Sequence, residues 1–252
     1  MELALSFSLG IATGFLGALL GIGGGVVIVP FLVFIAGFAP QAAIGTSMLV
    51  VLMNAASGSL GYLRKNLVCY GAAVKFGLAT LPGAALGSYA AEFLQGRIFY
   101  FVFGVFFLFV AANMYYKSGK GSTENGADRV PENYNWQLGT ICSVGVGFLA
   151  GVLGIGGGIV HVPFMIYILK FPVRIAIATS TCILAISALA GVVTHAYLGH
   201  IAWLAALAIG AGASLGAQLG VQAASRLKSA WLMRLTALLV CATGCKFLWS
   251  SL

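Results

Sequence analysis

Charge is scarce in this chain of 252 residues: Asp, Glu, Lys and Arg make up 7% of it, and only 5 of these are acidic. A soluble domain carries roughly a quarter charged residues on its surface, so an ordinary water-exposed fold is excluded. Of the five carboxylates, Glu2, Glu124, Asp128 and Glu132 fall in tails or connections, and Glu92 stands at the very end of an apolar stretch. This removes the Asp/Glu proton relay that many membrane pumps use. The five cysteines, at 69, 142, 182, 241 and 245, form no C-x-x-C pair. Four of them lie inside apolar stretches, where a thiol acts as a small hydrophobe, so neither a disulfide framework nor a metal site is expected.

Apolar residues are abundant. They make up 61% of the chain, with a mean hydropathy of +1.04. Polar punctuation divides the sequence into about ten apolar stretches: 3–22, 26–38, 42–63, 70–94, 97–116, 136–154, 159–169, 175–198, 201–225 and 230–249. Most are long enough to cross a ~30 Å hydrocarbon core as a helix. The expected class is an all-α integral membrane protein, with the lipid bilayer as its partner. The 13 Lys and Arg give a net charge of +8, and most of them are dispersed among the gaps. A nucleic-acid partner would need a clustered basic face, and none is expected. Glu2 stands where a signal peptide would be basic, so the N-terminal segment reads as retained.

The sequence repeats itself. "GFLGALLGIGGGVVIVPF" (14–31) and "GFLAGVLGIGGGIVHVPF" (147–164) are identical at 13 of 18 positions. The same offset of 133 lays Ile44-Gly45-Thr46-Ser47 on Ile177-Ala178-Thr179-Ser180, Gly58 on Gly191, and Gly83 and Gly87 on Gly216 and Gly220. The chain thus divides into three domains: a first transmembrane repeat (1–116), a polar cytoplasmic linker (117–135) and a second transmembrane repeat (136–252). An odd number of crossings per unit makes the second copy enter from the opposite side, so the expectation is two inverted five-segment repeats. Basic residues mark the cytoplasmic ends of spans, and they change copies accordingly. Arg64 and Lys65 pair with Tyr197 and Leu198, Lys170 and Arg174 with Gly37 and Gln41, and Arg226 and Lys228 with Phe93 and Gln95. Lys117, Lys120 and Arg129 lie in the linker, Arg97 and Lys246 remain outside, and both termini are expected outside.

The stretches after the Gly runs are too short to span the core at ~1.5 Å per residue. Gly23-Gly24-Gly25 and Gly156-Gly157-Gly158 let the chain turn, and Pro30 and Pro163 limit or kink the helices after them. Gly-rich broken or re-entrant helical hairpins are expected. Interrupted segments at matching places in inverted halves point to a transporter's midplane site, where half-helix N-termini suit an anion. The competing reading is that the glycines only let helices pack closely. A nucleotide-binding reading fails, because no strand precedes the glycines and no acidic residue lies about 20 positions on.

The paired signatures "GFLGALLGIGGGVVIVP" and "GFLAGVLGIGGGIVHVP", with "GTS" and "ATS" after them, resemble the sulfite exporter TauE/SafE family, also called the toluenesulfonate uptake permease family. The resemblance covers nearly the whole chain. It implies an inner-membrane transporter of a small sulfur oxyanion or sulfonate (sulfite, organosulfonates such as sulfoacetate, or thiosulfate) with no cofactor. The candidate cage is Gly23, Gly24, Gly25, Gly156, Gly157 and Gly158 with the hydroxyls of Thr46, Ser47, Thr179 and Ser180. Asn54, whose repeat partner is Ser187, and Gln218 are weaker candidates for the same cavity. His161 stands where the first copy has Ile28, and His195 where it has Tyr62. With no carboxylate in the membrane, proton coupling would rest on these histidines, and Lys75 is a candidate anion guide. Two alternatives stay open: a gated anion channel, and a membrane-embedded enzyme, for which no nucleophile-base pair or metal cluster stands out.

Overall fold

The computed structural model describes residues 3–93, 96–118, 130–131, 134–224, 226–227 and 229–251. Ten α-helices are described among these residues: α1 (Leu3–Leu20), α2 (Gly25–Phe34), α3 (Pro40–Arg64), α4 (Tyr70–Ala90), α5 (Gly96–Ser118), α6 (Trp136–Leu153), α7 (Gly158–Tyr167), α8 (Val173–Tyr197), α9 (Trp203–Ala224) and α10 (Ser229–Ser251). A 3₁₀ turn, Ala91–Phe93, comes after α4. Glu2, Lys120, Glu124, Asp128, Arg129, Glu132 and Lys228 lie outside the described residues.

Five helices, α1, α3, α6, α8 and α9, are long and apolar enough to cross a membrane. Their neighbours present apolar side chains outward, among them Phe109 (68% exposed) and Trp249 (78% exposed). All four tryptophans lie within the first or last few residues of a helix and are exposed: Trp136 opens α6, Trp203 opens α9, and Trp231 and Trp249 flank α10. This is where amphipathic rings settle at a lipid-water boundary.

Glycine sets the helix pairing. On α1, a Cβ at Gly10 or Gly14 would strike the backbone of Ile209 or Ala213 on α9, and Gly212, Gly216 and Gly220 of α9 face the Phe7, Ile11 and Phe15 carbonyls in return. The pair α4 and α6 repeats this contact, with Gly83 and Gly87 against Val144 and Phe148, and Gly147 and Gly151 against Thr80 and Ala84. Lipid tails are as apolar as leucine, so helices in a membrane associate through such close backbone approach. The third pair, α5 and α10, is aromatic: Phe99, Phe103 and Phe107 gather around Phe247, which Phe34 of α2 also touches.

At the centre α3 and α8 cross. Gly58 meets Thr181 and Gly191 meets Met48, so the helices run antiparallel there. Met48, Val51, Ala55, Leu184 and Ala188 form a small apolar cluster of their own at the crossing.

Candidate functional site

The two Gly runs adopt one backbone shape. Gly21, Gly23 and Gly24 have φ of 70°, 78° and 79°, and their repeat partners Gly154, Gly156 and Gly157 have 66°, 76° and 81°. Only glycine takes these left-handed angles without strain. The chain leaves α1 or α6, reverses within four residues, and starts a helix of 10 residues, α2 or α7, capped by Gly24 or Gly157. Ten residues rise only ~15 Å. Phe34 and Tyr167 end these helices short of the expected 38 and 169, because the next residues fold back onto them: Phe38 N–H donates to Leu32 O, and Phe171 N–H to Met165 O. Val27 and Ile28 donate to Gly24 O, and Val160 and His161 to Gly157 O. The amides of Gly24 to Val26 and of Gly157 to Ile159 precede the first helical hydrogen bond and point out of the helix start, whereas Gly23 N–H donates to Gly17 O.

The hairpins touch each other. A Cβ on Gly25 would fall 2.7 Å from Ile155 Cα and 2.9 Å from Gly154 O, and one on Gly158 would strike Gly21 O and Ile22 Cα. Gly23 and Gly156 both face Val51 and Leu184, themselves partners at the offset of 133. Four glycines of the two runs therefore surround the α3–α8 crossing, and apolar side chains close its centre.

The hydroxyls fall into two reciprocal pairs. Ser47 Oγ donates to Gly154 O at 2.8 Å, and Ser180 Oγ donates to Gly21 O at 3.2 Å. Thr46 Oγ1 accepts from Ala202 N–H at 3.0 Å, and Thr179 Oγ1 accepts from Cys69 N–H at 3.0 Å. Every partner in one pair becomes its counterpart in the other by adding or subtracting 133. The serines tie each long helix to the opposite half's hairpin. The threonines hold the entries to α9 and α4, nearer the ends of α3 and α8 than the Gly runs are.

The remaining polar candidates are not symmetric. Asn54 is 1% exposed, and its Nδ2 lies against Gly17 and Gly24, while Oδ1 is buried without a partner. Its counterpart Ser187 has a buried, unpartnered hydroxyl. His161 Nε2 lies 3.1 Å from Ser143 Oγ, which donates to Gly139 O, and His161 Nδ1 is buried without a partner. A hydroxyl has one hydrogen, so with Ser143 bonded to Gly139 the imidazole is the donor at Nε2 and Nδ1 is a bare acceptor. His195 Nδ1 sits 3.2 Å from His200 Nδ1 at the end of α8, and Gly45 has no side chain where the Cβ atoms of both histidines pack. Sequence reasoning missed Ser143, Gly17 and His200. Ser143 and Gly17 belong to α6 and α1, whose periodicity carries no polar signal, and His200 lies in a turn.

Gln218 is bonded to Ser57 O and Ser57 Oγ, which places it in the α3–α9 contact. Lys75 is exposed, and its Nζ lies 4.9 Å from the Trp136 ring centroid, a surface cation-π contact. Tyr62, Leu67, Arg174, Ile177, Ala224 and Leu232 line a crevice where α3 ends and α8 begins. Among the described residues no three His, Cys, Asp or Glu side chains gather as a metal site would require.

Residues 6–247 match the family described as sulfite exporter TauE/SafE. The probable membrane transporter protein YunE of Bacillus subtilis is 31% identical over 271 aligned positions, spanning 100% of this chain and 99% of YunE. A probable membrane transporter protein of Xylella fastidiosa (strain Temecula1) is 29% identical over 99% of this chain and 96% of its own length. One of Methanocaldococcus jannaschii is 29% identical over 77% and 72%. No solved structure matches significantly.

Proposed function

Since the chain belongs to the sulfite exporter TauE/SafE family and is a multi-pass membrane protein, we propose that it carries small sulfur-containing anions, sulfite, thiosulfate or an organosulfonate, across the inner membrane by alternating access. One observation carries this reading: the starts of α2 and α7 meet backbone to backbone at the α3–α8 crossing. Unpaired amides at two half-helix N-termini, with the positive ends of their dipoles, attract an anion without a fixed cation and so release it again.

In this account the two repeats are inverted in the membrane, both termini face outward, and the anion rests among Gly23, Gly24, Gly25, Gly156, Gly157 and Gly158. The Ser47–Gly154 and Ser180–Gly21 bonds are the latches that hold the halves together around it. Opening toward one side breaks a latch and frees a hydroxyl to donate to the anion. Thr46 and Thr179 stand nearer the two mouths and lose their N–H partners as α9 or α4 moves. Asn54 and His161 add polar atoms beside the Gly runs, His195 stands at one mouth, and Lys75 with the other basic residues of the cytoplasmic ends gathers anions at the rim. His161 is the proton-binding group nearest the site, so a coupled proton would bind at its free Nδ1.

Proteoliposomes containing the purified protein test the reading. Labelled sulfite, thiosulfate and sulfoacetate are offered with and without a pH gradient. Protein-dependent, saturable uptake of at least one of them is expected. Uptake equal to that of empty liposomes for all three contradicts it.

A further inference from the structure

The end of α8 holds a side-chain pair that its counterpart in the first half lacks. His195 Nδ1 lies 3.2 Å from His200 Nδ1 and the ring centroids are 5.5 Å apart, so the rings meet nitrogen to nitrogen. The backbone fixes them there. His200 N–H donates to His195 O at 2.9 Å, and just beyond it Ala202 N–H donates to Thr46 Oγ1 of α3 at 3.0 Å. A Cβ on Gly45 would fall 2.9 Å from His200 Cβ and 3.1 Å from His195 Cβ. His195 is fully buried, and His200, in the turn leading to α9, is partly exposed.

The offset of 133 lays His195 on Tyr62 and His200 on Leu67, neither of which gains a proton. Tyr62 donates its hydroxyl to Ala18 O at 2.7 Å. Gly151, the counterpart of Ala18, has its carbonyl beside the His195 ring without a bond to Nε2. The two ends also differ in charge. Where α3 ends and α8 begins stand Arg64, Lys65, Lys170 and Arg174, which are permanently positive. Around the histidine pair, α3 presents Gly45 and Thr46, α4 presents Ser88 against Gly191, and α6 presents Gly151. Arg64 and Lys75 stand toward the opposite ends of α3 and α4, and α6 and α9 carry no charged residue. Among the described residues Glu92, after α4, is the carboxylate at this end, and the charge that acts on His195 is that of His200.

A neutral imidazole has one N–H and one lone pair. In the neutral pair one ring donates at Nδ1 and keeps a bare Nε2, and the other accepts. A proton added at the bare Nε2 preserves the shared bond, whereas a second would set N–H against N–H. The pair is therefore built to take one proton, a ligand that needs no cavity.

We propose that His195 and His200 bind one proton between them and thereby set the charge of the mouth where α8 ends, so that anion entry there quickens as the pH on that face falls. The proposal rests on the anion-transport reading and adds regulation to it: one mouth is permanently basic, and the other becomes so on protonation.

Nitrogen-15 NMR of the purified full chain, labelled at its three histidines, is the first part of the test. His195 and His200 are expected to gain one proton in a single shared step. Two independent steps, neither moved by removal of the other ring, overturn the pair. Uptake of labelled sulfite, thiosulfate and sulfoacetate by proteoliposomes is then measured at fixed internal pH, with the external pH lowered through that step. The wild-type initial rate is expected to rise about tenfold, the low end of electrostatic steering. The double variant His195→Tyr/His200→Leu copies the other end and is expected to melt as a folded protein and to lack that rise. The comparison cancels any change in the anion's own charge. His200→Gln, in the turn, repeats the test with less change to the core. The same rise in either folded variant overturns the proposal. Wild-type uptake that is indifferent to external pH overturns it too and leaves the transport reading standing. If wild type takes up none of the three anions, both fall together.

Discussion

Single hydroxyls join the two halves at their centre. Ser47 and Ser180, both fully buried, each donate to a carbonyl at the end of a helix in the other repeat. Ser47→Ala or Ser180→Ala leaves that carbonyl unsatisfied, and each is expected to lower stability by about 1–3 kcal/mol. Because the bonds are reciprocal, the two losses should be similar in thermal melts of the purified protein. A loss for one and none for the other would mean that only one latch is formed. His161 makes a different prediction. Its Nδ1 is the acceptor left free once Nε2 donates to Ser143, so a proton gained there adds positive charge to α7 one turn from the Gly157 cap. Anion binding should strengthen when pH falls far enough to protonate the buried imidazole, and His161→Gln should remove that dependence. A variant with the wild-type pH profile would take His161 out of the mechanism. The Ser143 partnership was not readable in the sequence, because a lone serine in an apolar helix bonds its own carbonyls as readily as a neighbour.

The elements that matter most are the two short helices, and these were the most legible. Glycine triplets and prolines are backbone instructions, so the break after α1 and α6 and the brevity of α2 and α7 come from residue type alone. The ends were less so, since hydropathy carries the first short stretch to Phe38 and the second to Leu169, yet the chain folds back earlier, Phe38 onto Leu32 and Phe171 onto Met165. The close approach of α1 to α9 and of α4 to α6 was only half legible: spaced glycines announce that something packs there, and composition does not name the partner. The prediction at this scale concerns the caps. Gly24 and Gly157 have φ of 79° and 81°, so a β-branched residue is strained there by roughly 1–2 kcal/mol and fills the approach to the amides. Gly24→Val and Gly157→Val should reach the membrane as folded protein and lose transport. Normal uptake by both variants would reduce the Gly runs to packing devices.

For the molecule as a whole, the repeat and the asymmetry of basic residues are legible in the chain itself, and the fold adds contacts that interchange on a shift of 133. Which repeat partners touch could not be read in advance, since Ser47 and Gly154 are separated by 107 positions and only the crossing of α3 and α8 brings them together. The inverted topology we propose predicts a cytoplasmic linker. A cysteine at Ser122, in a background with the exposed native thiols removed, should resist a membrane-impermeant reagent in intact cells and react after lysis. Ready labelling in intact cells would reverse the orientation. The central claim is that one anion site is exposed to the two sides in turn, and exchange across proteoliposomes tests it most directly. Vesicles preloaded with the unlabelled anion should take up the labelled anion several times faster than empty ones, as a reorienting carrier requires. Uptake that is indifferent to the internal anion, accompanied by a steady anion current, would make the protein a channel and contradict the claim.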